Sequence, residues 1–311
     1  MQLDGIHHIT AIAGDPQRNV DFYTQALGLR LVKLTVNFDD PGTYHFYYGD
    51  ATGSPGTVLT FFPFRGAPQG RRGTGQATTI AFSIPDGAMG YWIERFERLN
   101  VPFNAPARRF DAETLVFYDP DDLELELVAH ADGRAPWEGG PVPPEYAIRG
   151  FHSFTLSVDE PERTAALLTE TLGFRAAGEA GDRFRYAAGE GGPGALVDVL
   201  CRPAATRGQV AVGTVHHVAW RTPDDAQQLD WRQKLVGLGY NVSPVMDRQY
   251  FHSIYFREPG GVLFEIATDP PGFTLDEPMD QLGSGLKLPP WLEPRRGVIA
   301  QNLPSIRLPH G

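Results

Sequence analysis

The chain contains the same strand-like stretch twice, as GIHHITA at residues 5–11 and as GTVHHVA at residues 213–219. A related stretch without the histidine pair, GFHSFT, occupies residues 150–155. A stretch that recurs within one chain indicates an architecture made of repeated structural units. The recurrence therefore predicts copies of one unit, each of which begins with a short strand.

Longer segments repeat in the same order. Residues 85–126 run parallel to residues 223–265, and residues 55–59 match residues 193–197. Matches separated by nearly half of the chain indicate a tandem duplication, and the shorter repeat inside each half indicates two modules per half. The sequence thus predicts four related modules.

Each module reads as a strand, a helix and then two or three further strands. In the first module, Asp15 is a suitable N-cap, Pro16 takes the first helical position and Gly28 ends the helix. The apolar residues at helical spacing are Val20, Tyr23, Ala26 and Leu27. The third module repeats this pattern with Leu167, Leu168, Leu172 and Gly173. Alternating polarity at residues 43–48 and 123–127 predicts strands.

A βαβββ module is too small to bury both faces of its own sheet, so we expect the modules to pair into curled sheets that enclose a cup. The predicted fold class is α+β, with four βαβββ modules paired into two curled mixed sheets. Residues 1–130 hold modules one and two, and residues 150–269 hold modules three and four. A Pro- and Gly-rich linker at 131–149 joins the halves, and a Pro-rich C-terminal extension occupies 270–311.

Composition restricts the classes of protein that the chain can represent. A net charge of −11 argues against nucleic acid and anionic membranes as partners. No apolar stretch approaches the ~18 residues of a membrane span, and we expect no secretory signal at the start. A single cysteine, Cys201, excludes an internal disulfide and favours a reducing compartment. We therefore expect a cytoplasmic protein, assembled as a homo-oligomer on grounds of symmetry.

Two imidazoles and one carboxylate stand at corresponding places in the repeat. The residues aligned with His8 in the other modules are Thr79, Ser153 and His217. The residues aligned with Glu265 are Phe61, Glu126 and, approximately, Val199. If modules one and four pair, His8, His217 and Glu265 converge as a 2-His-1-carboxylate facial triad, which binds Fe(II) and leaves positions open for substrate and O2. Modules two and three would be too poor in ligands to hold a transition metal.

Each of these residues could also have an ordinary structural role that involves no metal. An isolated strand histidine is more often an ordinary core or surface residue, and Glu126 shows that a glutamate occurs in this frame without a histidine. Glu265, however, lies in the apolar run 262–267, where an unpaired carboxylate would be costly to bury. Neighbouring strand side chains point to opposite faces, so the pattern leaves open which histidine of each pair binds metal; His8 shares a face with Thr10.

In several stretches the chain resembles the vicinal oxygen chelate superfamily, which contains glyoxalases, bleomycin-resistance proteins and extradiol dioxygenases. Within that superfamily it is most similar to bacterial ring-cleaving dioxygenases of the hydroquinone and chlorohydroquinone type. The similar stretches are residues 5–10, 29–39, 44–50, 261–269 and 288–296. The resemblance therefore covers nearly the whole chain, and it specifies the subfamily better than the substrate.

The resemblance implies Fe(II), with Mn(II) as an alternative ion, bound by His8, His217 and Glu265, and it favours the second histidine of each pair. The catalytic residues that it implies are Tyr255, Arg248 and His216. The substrate-binding residues that we predict are His7, Thr10 and His252. Tyr255 lies ten residues before Glu265, where extradiol enzymes place a tyrosine that hydrogen-bonds the substrate oxygen. For His45 and His252, residue type alone suggests acid–base chemistry.

The resulting hypothesis is a non-haem Fe(II) extradiol-type dioxygenase that cleaves a hydroquinone or a related hydroxylated aromatic with O2. Two alternatives remain open. A glyoxalase-like isomerase or thiol transferase would have a second carboxylate ligand, and Phe61 at the symmetric position argues against it. A binding protein of the bleomycin-resistance kind would need no metal triad at all.

Overall fold

Two curled sheets of eight strands each dominate the structure, a computed structural model that describes residues 1–309. The strands of module one are β1 (Ile6–Ala13), β2 (Arg30–Asn37), β3 (Asp40–Gly49) and β4 (Val58–Pro63). Module two contains β5 (Gln76–Ile84), β6 (Ala107–Arg109), β7 (Ala112–Tyr118) and β8 (Glu124–Ala129). Module three contains β9 (Gly150–Val158), β10 (Arg175–Ala180), β11 (Arg183–Ala187) and β12 (Leu196–Cys201). Module four contains β13 (Thr214–Thr222), β14 (Met246–Asp247), β15 (Phe251–Arg257) and β16 (Leu263–Pro271).

Each module places one helix after its first strand. These helices are α1 (Pro16–Asp21), α2 (Met89–Leu99), α3 (Glu162–Ala166) and α4 (Asp225–Gly237). In the C-terminal extension, α5 (Arg296–Asn302) follows three 3-10 turns, Phe273–Leu275, Met279–Gln281 and Glu293–Arg295. No helix among residues 1–309 is long and apolar enough to cross a membrane.

The modules pair across the two halves of the chain. The first sheet has the order β14-β15-β16-β13-β1-β4-β3-β2, so it combines modules four and one. The second has the order β10-β11-β12-β9-β5-β8-β7-β6 and combines modules three and two. The central strands meet antiparallel, whereas the first and last strands of each module run parallel. The α+β class, the curled mixed sheets and the pairing of module one with module four are confirmed.

The first helix begins as its sequence predicts. The Asp15 side chain accepts a hydrogen bond from the backbone N–H of Arg18, and Pro16 follows the cap. After Asp21 the helix widens into a π-helical turn at Phe22–Ala26, which the apolar spacing does not predict. Gly28 then adopts a φ of +72°, a conformation that favours glycine, and the chain turns into β2. The same widening, at Leu167–Thr171, follows α3 in module three.

The strand register corrects the sequence alignment of the modules. By pairing with the first strand of its module, the residue equivalent to Glu265 is Thr60 in module one and Asp198 in module three. Phe61 and Val199, which we had aligned there, are one residue further along and lie in the core. Because strand side chains alternate between faces, an error of one residue moves a side chain to the wrong side of the sheet.

The linker and the extension lie against the modules as irregular but partly buried segments. Val142 of the linker is buried, and Trp137 stacks under the guanidinium of Arg30. Leu292 and Ile299 of the extension are buried as well, whereas Trp291 is 46% exposed and contacts Phe38 by its edge. The extension thus packs against the modules through these side chains, and it contains one short helix that its proline content does not predict.

Candidate metal centre

Three neighbouring strands at the middle of the first sheet bring the predicted ligands together. His8 lies on β1 and His217 on β13, and these strands pair antiparallel with Thr10 opposite His217. Glu265 lies on β16, which runs parallel to β13 and pairs Glu265 with Ala219. All three side chains are buried, with exposed fractions of 2%, 5% and 0% in the order of the chain. The structure therefore brings together two imidazoles and a carboxylate from modules one and four.

The ligand atoms form a small triangle. His8 Nε2 lies 3.3 Å from His217 Nε2 and 3.4 Å from Glu265 Oε2, and His217 Nε2 lies 3.0 Å from the same oxygen. Ligands bound at ~2.0–2.2 Å to one ion lie about 3 Å apart when they are cis in an octahedron. The separations therefore suit a single divalent ion bound on one face.

An unpartnered oxygen supports a cation at this place. Ser253 donates a hydrogen bond to Oε1 of Glu265, whereas no side chain or backbone group among residues 1–309 forms a hydrogen bond with the buried Oε2. An ionised carboxylate oxygen that is buried without a donor is costly, and a metal ion is a partner of the right charge. The donor set fits a divalent transition metal.

The protonation states of the ligands are also those that a metal requires. Burial lowers the pKa of His217, so the imidazole is neutral at neutral pH. Burial acts to raise the pKa of Glu265, but attraction to His8 and His217 outweighs it, and the net shift is downward. A neutral imidazole and an ionised carboxylate are the metal-binding forms of these side chains.

The first histidine of each pair supports the second through a hydrogen bond between Nδ1 atoms. The distance is 2.9 Å between His7 and His8 and 2.7 Å between His216 and His217. Burial lowers the pKa of His7 to about 3, and the ring also donates to the backbone of Thr268. With His8 Nδ1 as the donor and His7 Nδ1 as the acceptor, His8 Nε2 keeps its lone pair, which is the tautomer that a metal ligand needs.

We expect His7→Leu to weaken metal binding by roughly 10- to 100-fold, the effect of removing a residue that orients a metal ligand. A competition titration against a chromophoric chelator measures the affinity. The chain contains a matched control, because His152 occupies the equivalent place in module three, buried and bonded to Ser153 Oγ at 3.0 Å. His152→Leu should leave the affinity unchanged. Equal losses from both substitutions would show that the effect of His7 is a general loss of packing.

A cavity of about 410 Å³ opens beside His8 and His217 of the ligand triangle. Its apolar walls include Phe62, Phe64, Phe251 and Leu263. Its polar groups besides the ligands include His45, Tyr47, His216, Arg248 and Tyr255. A mainly apolar cleft with a few convergent polar groups is typical of a site for a small aromatic molecule.

Tyr255 and Arg248 form a pair on the module-four wall of this cavity. Arg248 Nε donates to the Tyr255 hydroxyl at 3.1 Å, and Arg248 Nη1 lies 3.0 Å from Asp39 Oδ2. The Tyr255 ring stands 5.8 Å from the ring of His217. Burial and the nearby Glu265 carboxylate raise the pKa of Tyr255, so its hydroxyl stays protonated. Since the oxygen accepts from Arg248, its own hydrogen is available to a ligand in the cavity.

Three predicted substrate-binding residues lie elsewhere. His252 does not line the cavity, and its Nδ1 contacts Asp225 of α4 at 2.6 Å, so the structure does not bring this predicted substrate-binding residue to the site. His7 stands behind His8 and lines a separate cavity of about 280 Å³. Thr10 is fully buried and bonds Thr60 at 2.7 Å rather than lining the cavity. His7 and Thr10 are thus placed to support the site, not to contact a substrate directly.

His45 and Tyr47, which were not among the predicted site residues, do lie at the cavity. Both line the cavity from the module-one wall, on β3. Residue type alone suggests a role for His45, and the sequence does not single out Tyr47. The alternation at residues 43–48 places the two side chains on one face of the strand, but only the curling of the sheet shows that this face is the cavity wall.

The second sheet pairs its buried carboxylates with arginines from its outer strands. Glu126 receives a hydrogen bond from Arg109, and Asp198 is bound by Arg183 at 3.1 Å and by Arg185 at 2.7 Å. Guanidinium groups therefore neutralise the two buried carboxylates of this cup. The sequence alignment places Val199 at the position that the strand register gives to Asp198.

The family model "Glyoxalase/Bleomycin resistance protein/Dioxygenase superfamily" matches residues 5–127 and 150–266. These two ranges cover all four modules and most of the chain. The chain belongs to this superfamily.

Relatives of similar length carry dioxygenase names. The "Putative ring-cleaving dioxygenase MhqO" of Bacillus subtilis (strain 168) is 50% identical over 300 residues, which cover 96% of this chain and 95% of the relative. The "Chlorohydroquinone/hydroquinone 1,2-dioxygenase" of Sphingobium indicum is 38% identical over 300 residues, with 94% and 93% covered. With this similarity across nearly the full length, we class this superfamily member as an enzyme of the ring-cleaving dioxygenase type.

Solved structures agree with the fold. A crystal structure of a "putative dioxygenase from Bacillus subtilis subsp. subtilis str. 168" superimposes with a TM-score of 0.95 at 49% identity, covering 99% of this chain and 98% of that one. Glyoxalase I from Zea mays superimposes with a TM-score of 0.64 at 15% identity, covering 85% and 92%. The second similarity concerns the fold alone.

Proposed function

We propose that the protein is a non-haem Fe(II)-dependent, extradiol-type ring-cleaving dioxygenase that acts on a hydroquinone or a related hydroxylated aromatic. The observation that carries the proposal is the one-sided ligand triangle of His8, His217 and Glu265 beside a cavity of about 410 Å³. Three protein ligands on one face leave positions for a phenolic oxygen and for O2. The hydroquinone dioxygenase of S. indicum supports the substrate class.

Fe(II) bound by these ligands would supply a Lewis acid and a redox centre that brings a phenolate and O2 together. The protein's own residues would orient the ring and stabilise charge. Tyr255 offers a hydroxyl hydrogen next to His217, and Arg248 holds a fixed positive charge beside it. Both can stabilise negative charge that develops on an oxygen of the substrate.

The apolar walls would exclude water from the reacting ring. Phe62 and Leu263 line the cavity, and Phe251 lies 4.9 Å from the ring of His8. His216 stands between this wall and the metal centre, edge-on to Phe62 and hydrogen-bonded to His217. We propose that His216 acts by orienting the metal ligand His217, because the two rings are in direct contact through their Nδ1 atoms.

The isomerase alternative is disfavoured, although for a different reason from the one that the alignment suggested. The residue at the fourth symmetric position is Thr60, not Phe61. Thr60 is a neutral side chain whose hydroxyl contacts Thr10 and His45. It provides no second carboxylate, which is the ligand that the isomerase hypothesis requires.

Oxygen uptake by Fe(II)-loaded protein tests the proposal. After anaerobic reconstitution with Fe(II), adding hydroquinone in air-saturated buffer should consume O2 in equal molar amount and abolish the aromatic absorbance. With ¹⁸O2, both atoms should appear in the ring-opened product. The same protein should not isomerise the hemithioacetal of a ketoaldehyde and a thiol. Tight hydroquinone binding without O2 uptake would instead indicate a binding protein, and conversion of the hemithioacetal into a 2-hydroxy thioester would indicate the isomerase class.

A further inference from the structure

Two phenols face each other across the cavity from opposite wings of the first sheet. Tyr255 lies on β15, on the module-four wing, and Tyr47 lies on β3, on the module-one wing. The metal ligands lie on the strands between these wings. The proposed function assigns a role to Tyr255, whereas it leaves the buried hydroxyl of Tyr47 without one.

Tyr47 ends a chain of hydrogen bonds that crosses three strands. Its hydroxyl lies 2.8 Å from His45 Nδ1, and His45 Nε2 lies 2.9 Å from Thr60 Oγ1. Thr60 Oγ1 in turn lies 2.7 Å from Thr10 Oγ1. Burial raises the pKa of Tyr47 and lowers that of His45, so both groups remain neutral. Every member of a neutral chain of this kind can donate and accept, so Tyr47 can offer the cavity either a lone pair or a hydrogen.

A 1,4-dihydroxybenzene bound in this cavity would need a hydrogen-bonding group at the end of the ring that lies away from the metal. Its two oxygens stand at opposite ends of the ring, so a single ion can bind only one of them. The other hydroxyl would then lie in a cavity with walls of Phe62, Phe251 and Leu263, none of which can form a hydrogen bond with it. A buried hydroxyl without a partner loses roughly 1–3 kcal/mol of binding free energy, so the site needs a polar group at that end.

Arg248 and His45, two other polar groups of the cavity, already have hydrogen-bonding partners, and Tyr255 offers its hydrogen beside His217. Arg248 donates to Tyr255 and pairs with Asp39, whose side chain is 65% exposed at the mouth. His45 uses both ring nitrogens, one for Tyr47 and one for Thr60. Within residues 1–309, the Tyr47 hydroxyl has one hydrogen-bonding contact, with His45, so it retains capacity for a ligand.

We propose that Tyr47 hydrogen-bonds the hydroxyl group para to the metal-bound oxygen and thereby selects 1,4-dihydroxybenzenes over phenols that lack it. His45 is a positioning residue, since it holds the Tyr47 hydroxyl from the side away from the ligand. This inference rests on the proposed function, because it assumes that the aromatic substrate binds the metal through one oxygen.

Anaerobic binding of two ligands to the Fe(II)-loaded protein tests the proposal. Calorimetry gives the Kd of hydroquinone and of phenol, which lacks the second hydroxyl. Wild type should bind hydroquinone more tightly by roughly 10- to 100-fold, the usual cost of an unpaired hydrogen-bonding group. In Tyr47→Phe the Kd of phenol divided by the Kd of hydroquinone should fall to within about threefold of one. The Kd of phenol itself should stay constant. In His45→Leu the ratio should fall part of the way.

Tyr48→Phe is a matched control on the same strand. Tyr48 is buried on the opposite face, where its hydroxyl donates to Asn19 Oδ1 at 2.9 Å. This variant should keep the wild-type ratio, and a loss there equal to that of Tyr47→Phe would overturn the proposal. An unchanged ratio in Tyr47→Phe, or an equal weakening of phenol and hydroquinone, would also overturn it. A wild-type protein that binds neither ligand would count against the proposed function itself.

Discussion

Replacing His217 with alanine should remove the metal and the activity together. His217 Nε2 is one corner of the ligand triangle, 3.0 Å from Glu265 Oε2 and 3.3 Å from His8 Nε2. Removal of a ligand should exceed the roughly 10- to 100-fold effect of residues that only orient one, so we expect metal affinity to fall by ~1,000-fold or more. Metal analysis after reconstitution measures the first effect, and O2 uptake with hydroquinone measures the second.

Glu126→Gln provides the matched control, because Glu126 holds the place of Glu265 in the second cup. Its carboxylate pairs with Arg109, whose side chain is 20% exposed. Loss of this pair should lower stability by roughly 1–3 kcal/mol, less than for a fully buried pair because water reaches the arginine. The metal content should not change. His217→Ala should therefore lose the metal, whereas Glu126→Gln should lose stability and keep the metal. Equal loss of metal from both variants would contradict the assignment of the site to the first sheet.

Tyr255→Phe should lower kcat/KM by roughly 10- to 1,000-fold while the metal content and Tm stay near those of wild type. The substitution removes only the hydroxyl, which accepts from Arg248 and keeps its hydrogen for a ligand beside His217. The ring and its packing remain, and the hydroxyl is not a metal ligand. Steady-state kinetics on Fe(II)-loaded protein, with O2 saturating, measure the effect.

Tyr240→Phe is a suitable comparison for this experiment. Tyr240 packs edge-on against Phe256, with ring centroids 5.6 Å apart, and it does not line the cavity. Its loss of a hydroxyl should have almost no effect on turnover. If Tyr255→Phe behaves in the same way, Tyr255 serves only to fill the wall of the cup.

The repeat in the sequence was enough to predict the fold and the convergence of two histidine pairs with one carboxylate, whereas the choice of the second histidine in each pair came from the family resemblance. Each module has to begin with a buried strand, so the stretches at 5–11 and 213–219 identify equivalent positions without any structure. Histidine at two of these positions and a carboxylate in an apolar run leave few arrangements that avoid an unpaired buried charge. The ligand prediction followed because chemistry and periodicity pointed to the same residues.

The cavity walls depended on information that is not local. Counting along a strand left an ambiguity of one residue, and only the pairing of β4 with β1 shows that Thr60, not Phe61, faces the cup. His252 is on the right strand but bonds Asp225 of a helix that packs behind the sheet. Tyr47 meets the site only because two wings of the sheet curl toward each other.

The sequence by itself determined which residues repeat, which strands they form and which side chains can bind a metal, since these follow from short-range alternation and side-chain chemistry. The tertiary structure decided the strand register, the Nδ1 contacts behind His8 and His217, and the residues that line the cavity. These features arise from contacts between residues far apart in the chain, whose geometry depends on how the modules pair and how strongly the sheets curl.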